Sequence, residues 1–175
     1  SLQRGDIIYG RDYSIVVLHP YEDFYSMHSD TVDENNGSLV LRISGKSNTF
    51  LFTADIEEEG EDDLYHLGEY LKSDIMKIPH HGGRTSAHEY FYEAVSPDIA
   101  VISAGKNNSY GHPHPETMAI VEDMDVYKTY EDGAIGISEL SGGDLRIRTW
   151  REFSLTEAKT LKDEWMNFKK LFWVW

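Results

Sequence analysis

Hydrophobic and polar positions along this chain fall into two rhythms. Up to about residue 54, apolar residues come in short runs closed by turn residues, the pattern of extended strands. The runs are Asp6–Tyr9, Ser14–Leu18 (ended by Pro20), Ser38–Ile43 and Thr49–Thr53. Gly10 marks a turn between the first two, and Gly45-Lys46-Ser47-Asn48 joins the last two as a hairpin with a longer turn. Between the pairs lies a polar stretch, Glu22–Gly37, containing Asp30, Asp33, Glu34, Asn35 and Asn36, which reads as a surface loop.

From residue 55 onward, helix and strand alternate. Leu64, Leu67 and Leu71 form a helical stripe within Glu61–Lys72, and Asp74–Ile78 follows as a short strand. Ser86 with Glu89 has capping-box spacing ahead of Tyr90, Phe91, Ala94 and Val95, predicting a helix start. Asp98–Ser103 reads as a strand, and Pro115 opens a helix to about Met124 with His114 as its cap. Strands at Val126–Thr129, Ala134–Glu139 and Asp144–Trp150 follow, with Asp132-Gly133 and Gly142-Gly143 as turns. The division is 1–150 for the main body and 151–175 for a C-terminal amphipathic helix. Ser154 and Glu157 cap that helix, and Ala158, Leu161, Trp165, Phe168 and Phe172 share one face. Packing on its own domain, on a neighbouring chain or on a lipid surface are its alternatives, the last disfavoured by Asp163 and Glu164 on its polar face.

Composition narrows the class. At 175 residues, 40% hydrophobic and 13% aromatic, the chain is long and apolar enough for one buried core and too apolar for disorder. No apolar run reaches the roughly 20 residues of a membrane span, and the expected start of a secretory signal is missing. With no cysteine, disulfides, thiolate metal sites and cysteine nucleophiles are excluded. The formal charge of −15 repels phosphate backbones at long range, which argues against a general nucleic-acid-binding module. A metal ion could still recruit a phosphate locally, and solubility is the plainest explanation of the surplus acid.

Three polar segments follow strands, where α/β proteins place their sites. Asp55, after Phe50–Phe52, suits a metal-bridging carboxylate, or is a turn or helix-cap aspartate. His80 and His81, after Pro79 and before Gly82-Gly83, put imidazoles on a loop that a ligand can approach, or are an incidental surface pair. In an extended chain adjacent histidines point apart, so one would ligate while the other supports it or contacts substrate. The third segment, His112-Pro113-His114-Pro115-Glu116-Thr117, superficially matches an H-x-H-x-D-H zinc string. It lacks the Asp and the last His, and only His112 is retained as a candidate.

The order of these pieces carries a resemblance. Asn35-Asn36-Gly37-Ser38-Leu39-Val40-Leu41, Thr53-Ala54-Asp55-Ile56-Glu57, Lys77-Ile78-Pro79-His80-His81-Gly82-Gly83, Ile102-Ser103, Asn108–Pro113 and Thr129–Ile135 follow one another. This succession resembles the later half of a metallo-β-lactamase-fold hydrolase, closest to the hydrolase domain of ComEC-type competence (DNA-uptake) proteins and their soluble relatives. It covers roughly residues 5 to 150, with Ala54 replacing the usual Gly and Gly83 the usual Ser. The resemblance implies an α/β (α+β) fold, an αβ/βα sandwich truncated in its N-terminal half. It implies two ions, zinc or manganese, with Asp55 bridging them and His81 as the last ligand. His80 would contact substrate or orient a ligand, the two histidines being interchangeable in role, and His112 would bind phosphate or act as an acid.

The implied activity is hydrolysis of a phosphodiester or other ester, with DNA reached through the parent protein, or small esters as in soluble relatives. A competence channel protein would carry this domain on the extracytoplasmic side of the membrane; a soluble relative would be cytoplasmic or secreted. The superfamily's H-x-H-x-D-H motif is absent, so Asp55 and His81 supply only two of the three or four ligands a zinc needs. The expectation is a piece of a longer protein, inactive alone, with a partial or empty site. The alternative is a degenerate relative that serves as a non-catalytic interaction module. Core surface exposed by truncation leads to an expected homo-dimer.

Overall fold

The computed structural model describes residues 1–27 and 34–150. Among these residues nine strands run in the order β1 (Ile7–Tyr9), β2 (Ser14–His19), β3 (Val40–Ser44), β4 (Thr49–Phe52), β5 (Ile75–Lys77), β6 (Ile99–Ile102), β7 (Asp125–Lys128), β8 (Ile135–Glu139) and β9 (Leu145–Thr149). Helices α1 (Phe24–Met27), α2 (Glu58–Tyr65), α3 (Glu89–Val95), α4 (Pro115–Ile120) and α5 (Thr129–Asp132) are interspersed. The first seven strands form one mixed sheet in simple chain order, β1 to β7, and β8 and β9 pair as a separate hairpin. The architecture is thus α+β with a large mixed sheet.

Strands β1 to β4 are antiparallel neighbours, joined by short turns between β1 and β2 and between β3 and β4 and by a longer connection carrying α1 between β2 and β3. From β4 to β7 the strands are parallel, which requires a crossover between each pair, and α2, α3 and α4 supply those crossovers. Right-handed connections that step the same way along a sheet put their helices on one face. That face holds the core: Leu51, Met76 and Ala100, matched in register across β4, β5 and β6, pack with Leu64, Phe91, Val95 and Val121. Side chains one position along point to the opposite face. There Phe50, Phe52, Ile75 and Val101 meet Ile135 and Ile137 of the β8–β9 hairpin around a cleft of about 210 Å³. Glu139 accepts from the Lys46 and Ser47 amides, and Asn48 donates to the Gly143 carbonyl, tying the hairpin to the β3–β4 turn.

Several local expectations are corrected. The Leu64–Leu71 stripe is not one helix: α2 ends at Tyr65 and a 3-10 turn covers Gly68–Leu71, because Gly68 takes a left-handed φ of 55°. Leu64 and Leu71 are nevertheless both fully buried. Ser86 does not cap α3; His88 occupies that position without a side-chain cap bond, and the Ser86 hydroxyl donates to the Ile56 carbonyl. Helix α4 stops at Ile120, four residues short of the expected end, and α5 was not foreseen. The Glu22–Gly37 stretch is not simply a surface loop, since Phe24, Asn36 and Gly37 are buried. The helix expected within 151–175 lies outside the described residues.

Candidate functional site

Because β4, β5 and β6 are parallel neighbours, their C-terminal ends open on one edge of the sheet. Three segments far apart in sequence meet there: Thr53–Glu57, Pro79–Gly83 and Ser103–His112. Thr53, fully buried, donates its hydroxyl to the Lys77 carbonyl at 2.6 Å and so pins the end of β4 to β5. Ala54 then turns with φ 49°, a left-handed conformation that explains why glycine suits this position in the resembling pattern. Its carbonyl accepts from the Lys77 ammonium at 2.6 Å and from the His80 amide at 3.2 Å. Asp55 follows, its amide donating to Ser38 Oγ at 3.3 Å.

The Asp55 carboxylate is half-exposed and faces two partners. Oδ1 lies 3.4 Å from Lys77 Nζ, and Oδ2 lies 3.6 Å from His81 Nε2. Burial lowers the Lys77 pKa, an effect that Asp55 partly offsets.

His80 and His81 do not sit in the extended chain that the sequence suggested. Both have positive φ (44° and 56°), and Gly82 continues at 83°. The two rings stand 6.3 Å apart, tilted by 59°, and turn to different carboxylates. His80 Nδ1 is 3.1 Å from Glu57 Oε1, which also accepts from Asn35 Nδ2 at 2.8 Å. His81 Nδ1 is 2.6 Å from the Ser103 carbonyl. A carbonyl only accepts, so Nδ1 carries a proton, which leaves Nε2, the nitrogen facing Asp55, as the one that can ligate in the neutral ring.

His112 completes the group, its ring centroid 5.3 Å from that of His80 and 6.2 Å from that of His81. Burial, followed by the neighbouring His80, His114 and His81, lowers its pKa. It is therefore neutral near pH 7, a better proton acceptor than cationic phosphate clamp. Its loop is held against the His80–His81 loop at Gly82, where a Cβ would lie 2.7 Å from Pro113 Cβ. The neighbouring zinc-like string is used otherwise: Glu116 pairs with Arg84 at 2.9 Å, and Thr117 is buried with its hydroxyl donating to the Gly82 carbonyl. His19, isolated in sequence, is fully buried elsewhere, with Nδ1 3.1 Å from the Ser38 carbonyl and its pKa lowered by burial.

All four candidate residues, Asp55, His80, His81 and His112, thus stand at one sheet edge. Sequence reasoning passed over Lys77, Glu57 and the Asn35–Asn36 pair as site-building residues. Asn36 is the more instructive: its Oδ1 accepts from the Glu57 and Gly60 amides at 2.8 and 3.0 Å, capping α2 from another segment. That leaves the carboxylate of Glu57, at the N-cap position without a cap bond of its own, free to face His80. Polar residues at Asn35 and Asn36 were visible; their distant partners were not.

A metal's fit to these residues can be judged from the donors. Two ligands about 2.1 Å from one tetrahedral zinc stand roughly 3.4 Å apart, and Asp55 Oδ2 and His81 Nε2 are at 3.6 Å, with His81 Nδ1 engaged by the Ser103 carbonyl. The pair fits as half of a site. It does not complete one: among the described residues no group of three or more His, Asp or Glu side chains is arranged to hold an ion.

Fold and site together define a mixed α/β chain with a histidine–carboxylate cluster at the ends of parallel strands. Part of this chain is similar to "ComE operon protein 3" of Bacillus subtilis (strain 168), 34% identical over 137 residues, covering 77% of this chain and 17% of that protein. It is also similar to "Recombination protein 2" of Haemophilus influenzae (29% over 159 residues, 89% of this chain, 18% of that protein). A third relative is "Competence protein ComA" of Neisseria gonorrhoeae (40% over 85 residues, 47% of this chain, 12% of that protein). The chain therefore spans less than a fifth of the length of these relatives. No family model matches it. Among the described residues, no helix is long and apolar enough to cross a membrane.

Proposed function

We propose that this chain is part of a metal-dependent phosphoester hydrolase of the metallo-β-lactamase type, working in competence DNA uptake. The observation that carries the reading is the Asp55–His81 pair: a carboxylate oxygen and an imidazole Nε2 3.6 Å apart, the imidazole fixed by a carbonyl behind it. Two relatives, one named a competence protein and one a ComE operon protein, support the biological setting. The remaining ligands would come from other parts of a larger protein, of which relatives show the scale.

Asp55 and His81 would hold a zinc or manganese ion, which when bound supplies Lewis acidity and a water acidified to near neutrality. The residues of this chain do the rest. Ser103 keeps His81 in the ligating tautomer. Lys77 anchors the Ala54 turn and one oxygen of Asp55, leaving the other towards the site. His112, neutral and beside both histidines, is placed to exchange a proton with an oxygen of the substrate. The chain's −15 charge leaves the grip on a polyanion to other parts of the protein.

The test is Mn2+ titration of the purified chain followed by the histidine 15N–1H spectrum. The ion is expected to broaden His81 first, with Nδ1 still protonated, and the effect is expected to vanish in Asp55→Ala. Broadening that ignores His81, or persists unchanged in Asp55→Ala, refutes the assignment.

A further inference from the structure

Beside the histidine cluster lies a cleft of about 310 Å³, the lower end of the size range of small-molecule sites. Its walls are largely apolar and are built by Ala104 and Gly105 after β6, with His81, Tyr110 and His112. Three of these side chains form a tier of rings. Tyr110 lies over His112 with centroids 5.7 Å apart and planes within 24°, and His112 lies over His81 at 6.2 Å and 21°.

The outermost ring is the unusual one. Tyr110 is 76% exposed, yet its loop is tightly held. Asn108 clasps the loop on both sides, donating from Nδ2 to the Gly105 and His112 carbonyls at 2.9 and 2.7 Å and accepting the His112 amide at 2.9 Å. A rigid, uncovered phenol ring presents contact area at little entropic cost to whatever binds it.

We propose that this cleft is a stacking subsite for the base of a nucleotide substrate. Two features select that ligand. The tier is made of near-parallel planes, which another planar ring extends, whereas a quaternary ammonium group needs several aromatic faces around it. Among the described residues no Lys or Arg lines the cleft, so these do not hold a phosphate backbone by charge; base stacking is the recognition left to an acidic surface. The inference rests on the site reading above because His81 belongs to both: a base on this tier lies next to the group that faces Asp55.

The test uses the full chain without metal, titrated with 2′-deoxyadenosine and separately with 2-deoxyribose 5-phosphate, reading the aromatic resonances of Tyr110 and His112. The nucleoside is expected to shift both rings, with an affinity nearly flat between about 50 and 200 mM salt. Tyr110→Leu is expected to weaken binding roughly tenfold or more, and Tyr110→Phe to preserve it. Because Tyr110 is exposed, an otherwise unchanged amide spectrum will show that the variants fold. Ring shifts that survive in Tyr110→Leu, no response to the nucleoside, or an equal response to the sugar phosphate would each overturn the proposal. The Mn2+ titration is independent of it, so a cleft that rejects bases while His81 still responds to the ion leaves the hydrolase reading standing.

Discussion

Glu61→Gln is expected to make this protein more stable, and increasingly so as pH rises. Glu61 sits on α2 with no solvent exposure, and its Oε2 is 2.6 Å from His88 Nδ1. Its Oε1 has no hydrogen-bond partner among the described residues. Removal from water, opposed by a hydrogen bond from the His88 backbone and reinforced by Asp62 and Glu58, pushes its pKa from 4.5 to about 9. In the folded chain near neutral pH the carboxyl is therefore protonated and donates to His88. In the unfolded chain it is ionised.

Folding must then return a proton to Glu61 at every pH between these two values. The stabilisation this group provides is whole below pH 4.5 and is lost progressively as pH rises through about 9. At about 1.4 kcal/mol per pH unit, three units separate pH 4.5 from 7.5, giving a ceiling of roughly 4 kcal/mol. Glutamine has the same shape, donates to His88 from its amide and has no proton to recover. The expected gain at pH 7.5 is about 2–4 kcal/mol, or roughly 5–15 °C in Tm for a chain of this size. Urea unfolding followed by far-UV circular dichroism at pH 4.5, 6, 7.5 and 9 measures it. Other carboxylates titrate alike in both proteins, so the difference isolates Glu61. A gap that stays constant with pH, or a variant weaker than wild type at pH 7.5, would refute the reasoning.

Two further perturbations follow from the geometry of the site's supports. Asn36→Ala removes the acceptor shared by the Glu57 and Gly60 amides at the start of α2, and should cost about 2 kcal/mol in urea unfolding. A loss below about 0.5 kcal/mol would contradict the capping role. Gly82→Ala adds a Cβ 2.7 Å from that of Pro113 at a φ of 83°, which should cost about 1–3 kcal/mol and shift the His112 ring resonances as the two loops separate. An unchanged melting curve together with unchanged His112 resonances would show that this contact does not position the site.

Much of the framework was legible because strands and turns are local. Ile7–Tyr9, Ser14–His19, Thr49–Phe52 and Ile99–Ile102 lie where short apolar runs meet turn residues, and the β3–β4 and β8–β9 hairpins follow from their Gly-bearing turns. The candidate site was legible for a related reason. Asp55, His80, His81 and His112 each follow a strand, and parallel strands deliver their ends to a common edge.

What failed was every inference in which a local signal had a distant competitor. Ser86 has the spacing of a cap, but its hydroxyl is claimed by Ile56, thirty residues away. Asn36 reads as a solvated loop residue, but it caps a helix that begins more than twenty residues later. The His80–His81 pair is ambiguous in an extended chain; its left-handed backbone and the Ser103 carbonyl decide which nitrogen faces Asp55. Periodicity and spacing report the preferences of neighbours in sequence. Hydrogen bonds between segments twenty to thirty-five residues apart exist only once the sheet has assembled, and they settle which polar group serves the chain and which serves the site.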